Sequence, residues 1–247
     1  MARTDFTTPR LCVDDDLALG RAVALAPEAA NYLVIVLRLK AGARVLVFNG
    51  RDGEFAARLE GERKRAALVI TERTREQEHP PPVDYLFAPL KHARLDYMAQ
   101  KAVEMGARSL RPVITRRTQG GRLNLERLEA NAREACEQCG VIWRPEVHAP
   151  QPLERALDDW PAARLLVFCD EDAALANPLE ALGAAPDAAE VGLLIGPEGG
   201  FTDDERAAIG RLPNVLRLSL GPRILRADTA AVAAMALIQA RFGDWRN

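Results

Sequence analysis

Two short apolar runs near the C-terminus each break at a Gly-Pro dipeptide and then give way to a helical pattern. The first reads Leu193-Leu194-Ile195-Gly196-Pro197-Glu198-Gly199-Gly200-Phe201-Thr202. The second reads Leu218-Ser219-Leu220-Gly221-Pro222-Arg223-Ile224-Leu225-Arg226-Ala227-Asp228-Thr229. A strand that ends in a side-chain-free turn lets a flat ligand lie against bare backbone and take its hydrogen bonds from peptide groups. Two such turns at the ends of neighbouring strands mark a nucleotide-like cofactor pocket.

The rest of the chain is organised around that pocket. Pro80-Pro81-Pro82 can continue neither a helix nor a central strand, so residues 76–82 read as a stiff linker. Before it, residues 1–75 have β character. The run 45–48 meets Asn49-Gly50, a hairpin turn signal, and 54–59 supplies the return strand. Residues 66–72 give another strand. The apolar stretch 33–39 reads either as a strand or as the continuation of a helix from Pro27. A small β-barrel-like domain fits this first part.

After the prolines, strands and helices alternate through residues 83–247. Segments 83–88, 110–114, 165–169, 191–195 and 215–218 are short and apolar. Leu95, Met98, Ala99, Ala102 and Val103 form one helical stripe that stops at Gly106. Asn124 is placed to cap a helix whose inner face carries Leu125, Leu128, Ala132, Ala135 and Cys139, and a last helix spans about 229–241. Alternation of this kind implies an α/β fold with a mostly parallel sheet and helices on both faces.

Bulk properties narrow the function. The chain has 247 residues, 48% of them hydrophobic, enough for a sizeable core and against disorder. No apolar run approaches the roughly 20 residues of a membrane span, and the start lacks a secretory stretch, so a soluble cytoplasmic protein is expected. Cys136 and Cys139 form a CxxC, but inside a helical pattern and without a second pair or a nearby histidine, so no metal site is expected. The net charge of −2 does not announce a nucleic-acid binder. Between Lys91 and Arg122, however, Lys91, Arg94, Lys101, Arg108, Arg111, Arg116, Arg117 and Arg122 face only Asp96 and Glu104. That sector is either a phosphate-engaging surface or a solvated helix face and loop.

The glycine-rich turn is neither a Rossmann fingerprint nor a P-loop. Thr202-Asp203-Asp204-Glu205 is a capping box with acids in the first helical turn, which would repel a phosphate there. A ligand without phosphate is therefore expected, and S-adenosylmethionine is one. The apolar stretch 218–225 can wall an adenine while backbone groups read its edge. Arg223 and Arg226 stand three residues apart where the second turn enters the last helix. Each is placed to meet a pocket or RNA, or simply to pair with a neighbouring acid.

The pair LLIGPEGGFTDDE and LSLGPRILRADTA resembles the SPOUT class of RNA methyltransferases, and within it the RsmE family, which methylates N3 of a uridine in bacterial 16S ribosomal RNA. Lys101–Ala107, Glu134–Gly140, Ile238–Asp244 and Val36-Leu37-Arg38-Leu39 extend the match over nearly the whole chain. Val141, Asp228 and Asn31-Tyr32 depart from the family pattern, and none lies in a glycine turn. The resemblance implies a PUA-like RNA-binding first domain (1–75) and a SPOUT domain (83–247) with a deep trefoil knot. It also implies a homodimer, S-adenosylmethionine as cofactor, and 16S rRNA as partner at one specific uridine, position 1498. No metal and no membrane are implied.

On this reading Arg226 and Glu198 are catalytic: Arg226 would steady the uridine anion or its phosphate, and Glu198 would orient cofactor or base. Leu194, Gly196, Pro197, Glu198, Gly199, Gly200, Leu218, Leu220, Gly221, Ile224, Leu225, Arg226 and Thr229 would hold the cofactor. Arg10, Arg38, Lys91, Lys101, Arg116, Arg117 and Arg122 would meet RNA. Three alternatives remain at this point: a SPOUT enzyme acting on another site such as transfer-RNA ribose, a non-catalytic RNA-binding assembly factor, and a nucleotide-binding regulator.

Overall fold

A computed structural model of the chain describes residues 5–61, 65–119, 121, 123–173 and 177–246. The chain divides into two compact units: residues 1–79 with 133–144, and residues 80–132 with 145–247. Residues 133–144, read in sequence with the second domain, thus belong to the first unit.

The first unit is built on β1 (Arg10–Cys12), β2 (Ala22–Ala24), α1 (Pro27–Asn31), β3 (Arg44–Phe48), β4 (Glu54–Glu60) and β5 (Ala67–Arg75). Its sheet runs β1-β3-β4-β5-β2, with β1 parallel to β3 and the other pairs antiparallel. Val45 and Val47, Phe55, Ala57 and Leu59, and Leu68 and Ile70 alternate at period two and share one core. Asn49 shapes the β3–β4 connection: its side-chain oxygen accepts from the Arg51 and Asp52 amides at 3.0 and 2.9 Å.

Of the two readings left open for 33–39, the helical one is observed. α1 starts with Pro27 in its first turn and continues as a π-helical turn over Tyr32–Val36. Ala30 and Leu33 face the core, a helical rather than an alternating spacing. The turn ends at Arg38, which takes φ 55°, while the Leu39 amide reaches back to the Leu33 carbonyl at 3.0 Å. That is a helix stop normally given to glycine.

The second unit holds β6 (Val83–Phe87), α2 (His92–Glu104), β7 (Ser109–Ile114), the first part of α3 (Leu125–Cys139), whose residues from 133 on belong to the first unit, β8 (Glu146–Val147), β9 (Gln151–Pro152) and α4 (Leu153–Asp158). It continues with β10 (Leu165–Cys169), α5 (Pro178–Ala184), β11 (Val191–Ile195), α6 (Asp203–Gly210), β12 (Val215–Leu218) and α7 (Ala227–Phe242). The sheet order is β12-β10-β11-β6-β7-β8, parallel throughout, with β9 also pairing β7. On one face Leu86, Leu166, Phe168 and Leu194 pack with α4 and α6 through Leu153, Leu157 and Ile209. α7 packs against α2 and β11, and buried Gln239 donates to the carbonyls of Met105 and Gly106 at 2.7 and 3.2 Å. Carbonyls at a helix end have no intrahelical partner, and α2 ends here.

Charge closes the N-terminal edge of this sheet. Buried Asp84 accepts from Arg108 at 2.9 and 3.0 Å, from Ser109 at 2.7 Å and from Arg164 at 2.5 Å. Glu190 pairs with the same two arginines. Burial pushes the Asp84 carboxyl up, but the hydrogen bonds from Arg108 and Ser109 and the arginine charges outweigh it, and the net shift is downward.

Candidate functional site

Parallel α/β sheets bind ligands beyond the carboxyl ends of their strands, and here both glycine turns lie at that end. Phe168 of β10 stands opposite Leu194 of β11 on one side and Arg217 of β12 on the other. The chain therefore leaves the sheet at Gly196 and at Ser219 at about the same level. The two strands are not neighbours, as the sequence reading had them: β10 lies between them. At the usual strand spacing their ends stand about 10 Å apart.

The first turn is held from several directions. The Gly200 amide donates to the Pro197 carbonyl at 2.9 Å. A Cβ at Gly196 would run into the ring of Phe201, which is fully buried and edge-on to Phe168 at 5.0 Å. Thr202 caps α6: its hydroxyl accepts from the Glu205 amide at 3.3 Å, and the Glu205 carboxylate accepts from the Thr202 amide at 2.8 Å. The other Glu205 oxygen accepts from the Arg116 amide at 2.7 Å. Arg117 donates to the Gly199 carbonyl at 2.8 Å, and Arg94 pairs with Glu198.

The second turn is more open. Gly221 has φ 101°, and a Cβ built there would meet nothing within 4 Å. Ser219 is buried and accepts from the Gly221 amide at 3.4 Å. Leu218 is buried, Leu220 and Leu225 are half-buried, and Ile224 is 98% exposed. Arg226 is the exposed N-cap residue of α7, and Thr229, also exposed, donates its amide to Asp228 at 2.8 Å. Beneath the site, Cys169 is held as a thiol, pushed up to about 12 by burial and then by Asp170. The Tyr85 hydroxyl is buried and unpaired among the described residues. Burial, followed by Cys169 and Asp228, raises its pKa well above the usual phenol range, so it stays protonated.

Several expected roles change. Leu194 is fully buried in the core cluster that also holds Phe168 and Phe201, and Leu218 is as deeply buried, so neither side chain is open to a pocket. Arg10 is no RNA contact: it lies inside the first unit, paired to Glu54 at 2.7 Å with both side chains 3% exposed. Its remaining nitrogens go to the carbonyls of Asp5 and Glu137. In the basic sector, Lys101 pairs with Glu104 at 2.6 Å, Arg108 serves Asp84, and Arg116 pairs with Glu154 at 3.5 Å. Arg38 and Lys91 are exposed. Arg122 lies outside the described residues. Pro197 is buried and Gly199 exposed within the turn. Sequence reading counted Arg94 only as part of the basic sector and passed over Asp170, Arg206 and Arg217, of which only Arg206 and Arg217 stand near a turn in the sequence.

Comparison with known proteins adds the following. The family model described as an RNA methyltransferase domain matches residues 77–239, and an RNA methyltransferase PUA domain model matches residues 25–72. The chain is 32% identical to ribosomal RNA small subunit methyltransferase E of Synechocystis sp., over 94% of this chain and 77% of that protein. It is 29% identical to the Rickettsia conorii protein of the same name, over 93% and 94%. Ribosomal RNA small subunit methyltransferase E from Neisseria gonorrhoeae, solved bound to S-adenosyl methionine, superposes with TM-score 0.84 at 29% identity, covering 94% of this chain and 97% of that one. A Legionella pneumophila protein solved with the same cofactor superposes with TM-score 0.81 at 30% identity, covering 94% and 97%.

Proposed function

The chain belongs to the RNA methyltransferase domain family, together with the small-subunit methyltransferase E proteins, and from that premise we propose that it methylates N3 of one uridine in 16S ribosomal RNA with S-adenosylmethionine as donor. The observation that carries the reading is the pair of glycine turns leaving one sheet edge at the same level on either side of β10.

The residues present suit this cofactor. Open space beside Gly221 and the half-buried apolar side chains of Leu220 and Leu225 suit an adenine. Peptide groups of Gly196, Pro197, Gly199 and Gly200 would hold it from the other turn. Asp203, Asp204 and Glu205 fill the first turn of α6, where a phosphate would otherwise be welcome, so a phosphate-free ligand fits better than ATP or NAD. When bound, S-adenosylmethionine supplies a methyl group on a positively charged sulfur.

What remains for the protein is alignment and electrostatics. Uridine N3 is flanked by two carbonyls and becomes a nucleophile on losing its proton. The Arg226 guanidinium, exposed at the mouth of the second turn, steadies the resulting anion or its phosphate. Glu198, oriented by Arg94, aligns donor or base. N3 lies on the pairing edge, so the target must be unpaired or turned outward. Arg38, Lys91, Arg116 and Arg122 supply phosphate contacts.

The homodimer and the trefoil knot belong to the same reading. Ile224 in the second turn, 98% exposed in the single chain, supports a partner subunit there. Light scattering of the purified protein should give twice the chain mass. No helix among the described residues is long and apolar enough to cross a membrane, and a ribosomal RNA substrate is in keeping with a cytoplasmic enzyme. Mass-spectrometric mapping of 16S rRNA from cells with and without the gene tests the substrate. The modified uridine should vanish on deletion and return with the wild type but not with Arg226→Ala. An unchanged map would refute the assignment.

A further inference from the structure

The strand between the two turns, β10, ends at Cys169 and is followed by Asp170, whose carboxylate is completely buried (0% exposed). Its Oδ1 accepts from Arg206 Nε at 3.2 Å and its Oδ2 from Arg217 Nε at 2.8 Å. Arg206 stands on α6, which the first turn opens into. Arg217 stands on β12, one residue before Leu218 and the second turn. One carboxylate therefore grips the element behind each turn.

The loop that carries it is tied in the same way. The Asp170 amide donates to the Leu218 carbonyl at 3.1 Å, and the Asp172 amide donates to Asp170 Oδ1 at 3.1 Å. Arg206 also holds Glu171 at 2.6 Å, Asp172 at 3.0 Å and Asp203 at 3.7 Å. Glu171 lies directly against the first turn: a Cβ on Gly200, which has φ 67°, would collide with its carboxylate. A buried charge is tolerated only when its lone pairs are used. Here both oxygens are used to link the two turns, while the core just below, around Phe168 and Phe201, is held by apolar contact.

We infer that Asp170 is a positioning residue of the methyl-donor site: through Arg206 and Arg217 it fixes the spacing of the two turns, so losing it loosens donor binding more than it slows the chemistry. This rests on the methyl-donor reading above. It deepens that reading by assigning the site's geometry to a residue that touches neither donor nor RNA.

The test uses the full chain carrying Asp170→Asn, Asp170→Glu or Arg217→Gln. Each is titrated calorimetrically with S-adenosylmethionine and with S-adenosylhomocysteine, then assayed on 16S rRNA at varied donor. Asp170→Asn and Arg217→Gln should raise Kd and donor KM about tenfold, the scale of one charge-assisted hydrogen bond, with kcat at saturating donor within about twofold. Asp170→Glu, which keeps the charge, should recover part of the loss.

Unchanged Kd and KM, with only the melting temperature lowered, would overturn the inference and leave the cluster a plain stabiliser. Should Asp170→Asn fail to fold, Arg217→Gln decides alone, since that side chain is 49% exposed. Wild type that binds no donor would sink the parent reading. Wild type that binds, with Arg217→Gln binding equally well, would sink only the brace.

Discussion

The Arg117 guanidinium donates a 2.8 Å hydrogen bond to the carbonyl oxygen of Gly199, in the middle of the glycine-rich turn. The same nitrogen also reaches the Phe201 carbonyl at 3.4 Å. An arginine that charge alone would assign to RNA is thus spent on the loop. Arg117→Ala should weaken S-adenosylmethionine binding about tenfold in the absence of any RNA, as expected for losing a charged donor. A pure phosphate contact would leave that affinity untouched and change only the salt dependence of RNA binding.

Gly196 is in close approach to Phe201, and a methyl group there has no room. Gly196→Ala should force the ring off Phe168 and cost roughly 1–3 kcal/mol, the usual range for overpacking. For a chain of this size each kcal/mol lowers the melting temperature by roughly 2–4 °C. Calorimetric melting would check the size of the drop, and donor titration should show binding lost with it. An unchanged melting curve would mean the turn is looser than described.

Arg10 and Glu54 make the opposite case. With both side chains 3% exposed, removing one partner strands a buried charge, so Arg10→Ala should cost about 3–5 kcal/mol in urea unfolding. RNA affinity, measured well below the transition, should be unchanged. Loss of RNA binding in a fully folded Arg10→Ala protein would return this residue to the RNA surface.

Acid sensitivity should come from the opposite edge of the second sheet. The Asp84 and Glu190 carboxyls are both shifted down, Asp84 against its burial and Glu190 mainly by the Arg108 and Arg164 hydrogen bonds. A lowered folded-state pKa adds stability that is fully present above the unfolded value, near pH 4, and is lost as pH falls through the folded one. Denaturant midpoints should therefore hold steady from neutral pH down to about 5 and fall below about 4. Asp84→Asn should start lower at neutral pH and decline less steeply in acid. A parallel decline in both proteins would remove Asp84 from the explanation.

What the sequence revealed follows from how local each signal is. α2 was legible because Leu95, Met98, Ala99, Ala102 and Val103 repeat at helical spacing within one segment. The capping box at Thr202 and Glu205 was legible because its partners are three residues apart. The partners of Arg10 and Asp170 are not local: Glu54 lies 44 residues from Arg10, and Arg206 and Arg217 lie 36 and 47 from Asp170. No periodicity encodes such pairs, so Arg10 read as surface charge and Asp170 was passed over. The two turns were found, but strand order was not, and β10 between them is a property of the sheet rather than of either segment. Leu194 shows the same limit. Strand character was plain, while the face it presents depends on which helices cover the sheet.

The ligand that the carboxyl edge of β10, β11 and β12 takes decides the function. Calorimetric titration of the purified chain with S-adenosylmethionine, and separately with ATP and NAD, addresses it most directly. The prediction is one donor site per chain, absent in Gly196→Ala, with no measurable heat from either phosphate-bearing ligand. Binding of ATP or NAD with none of S-adenosylmethionine would contradict it.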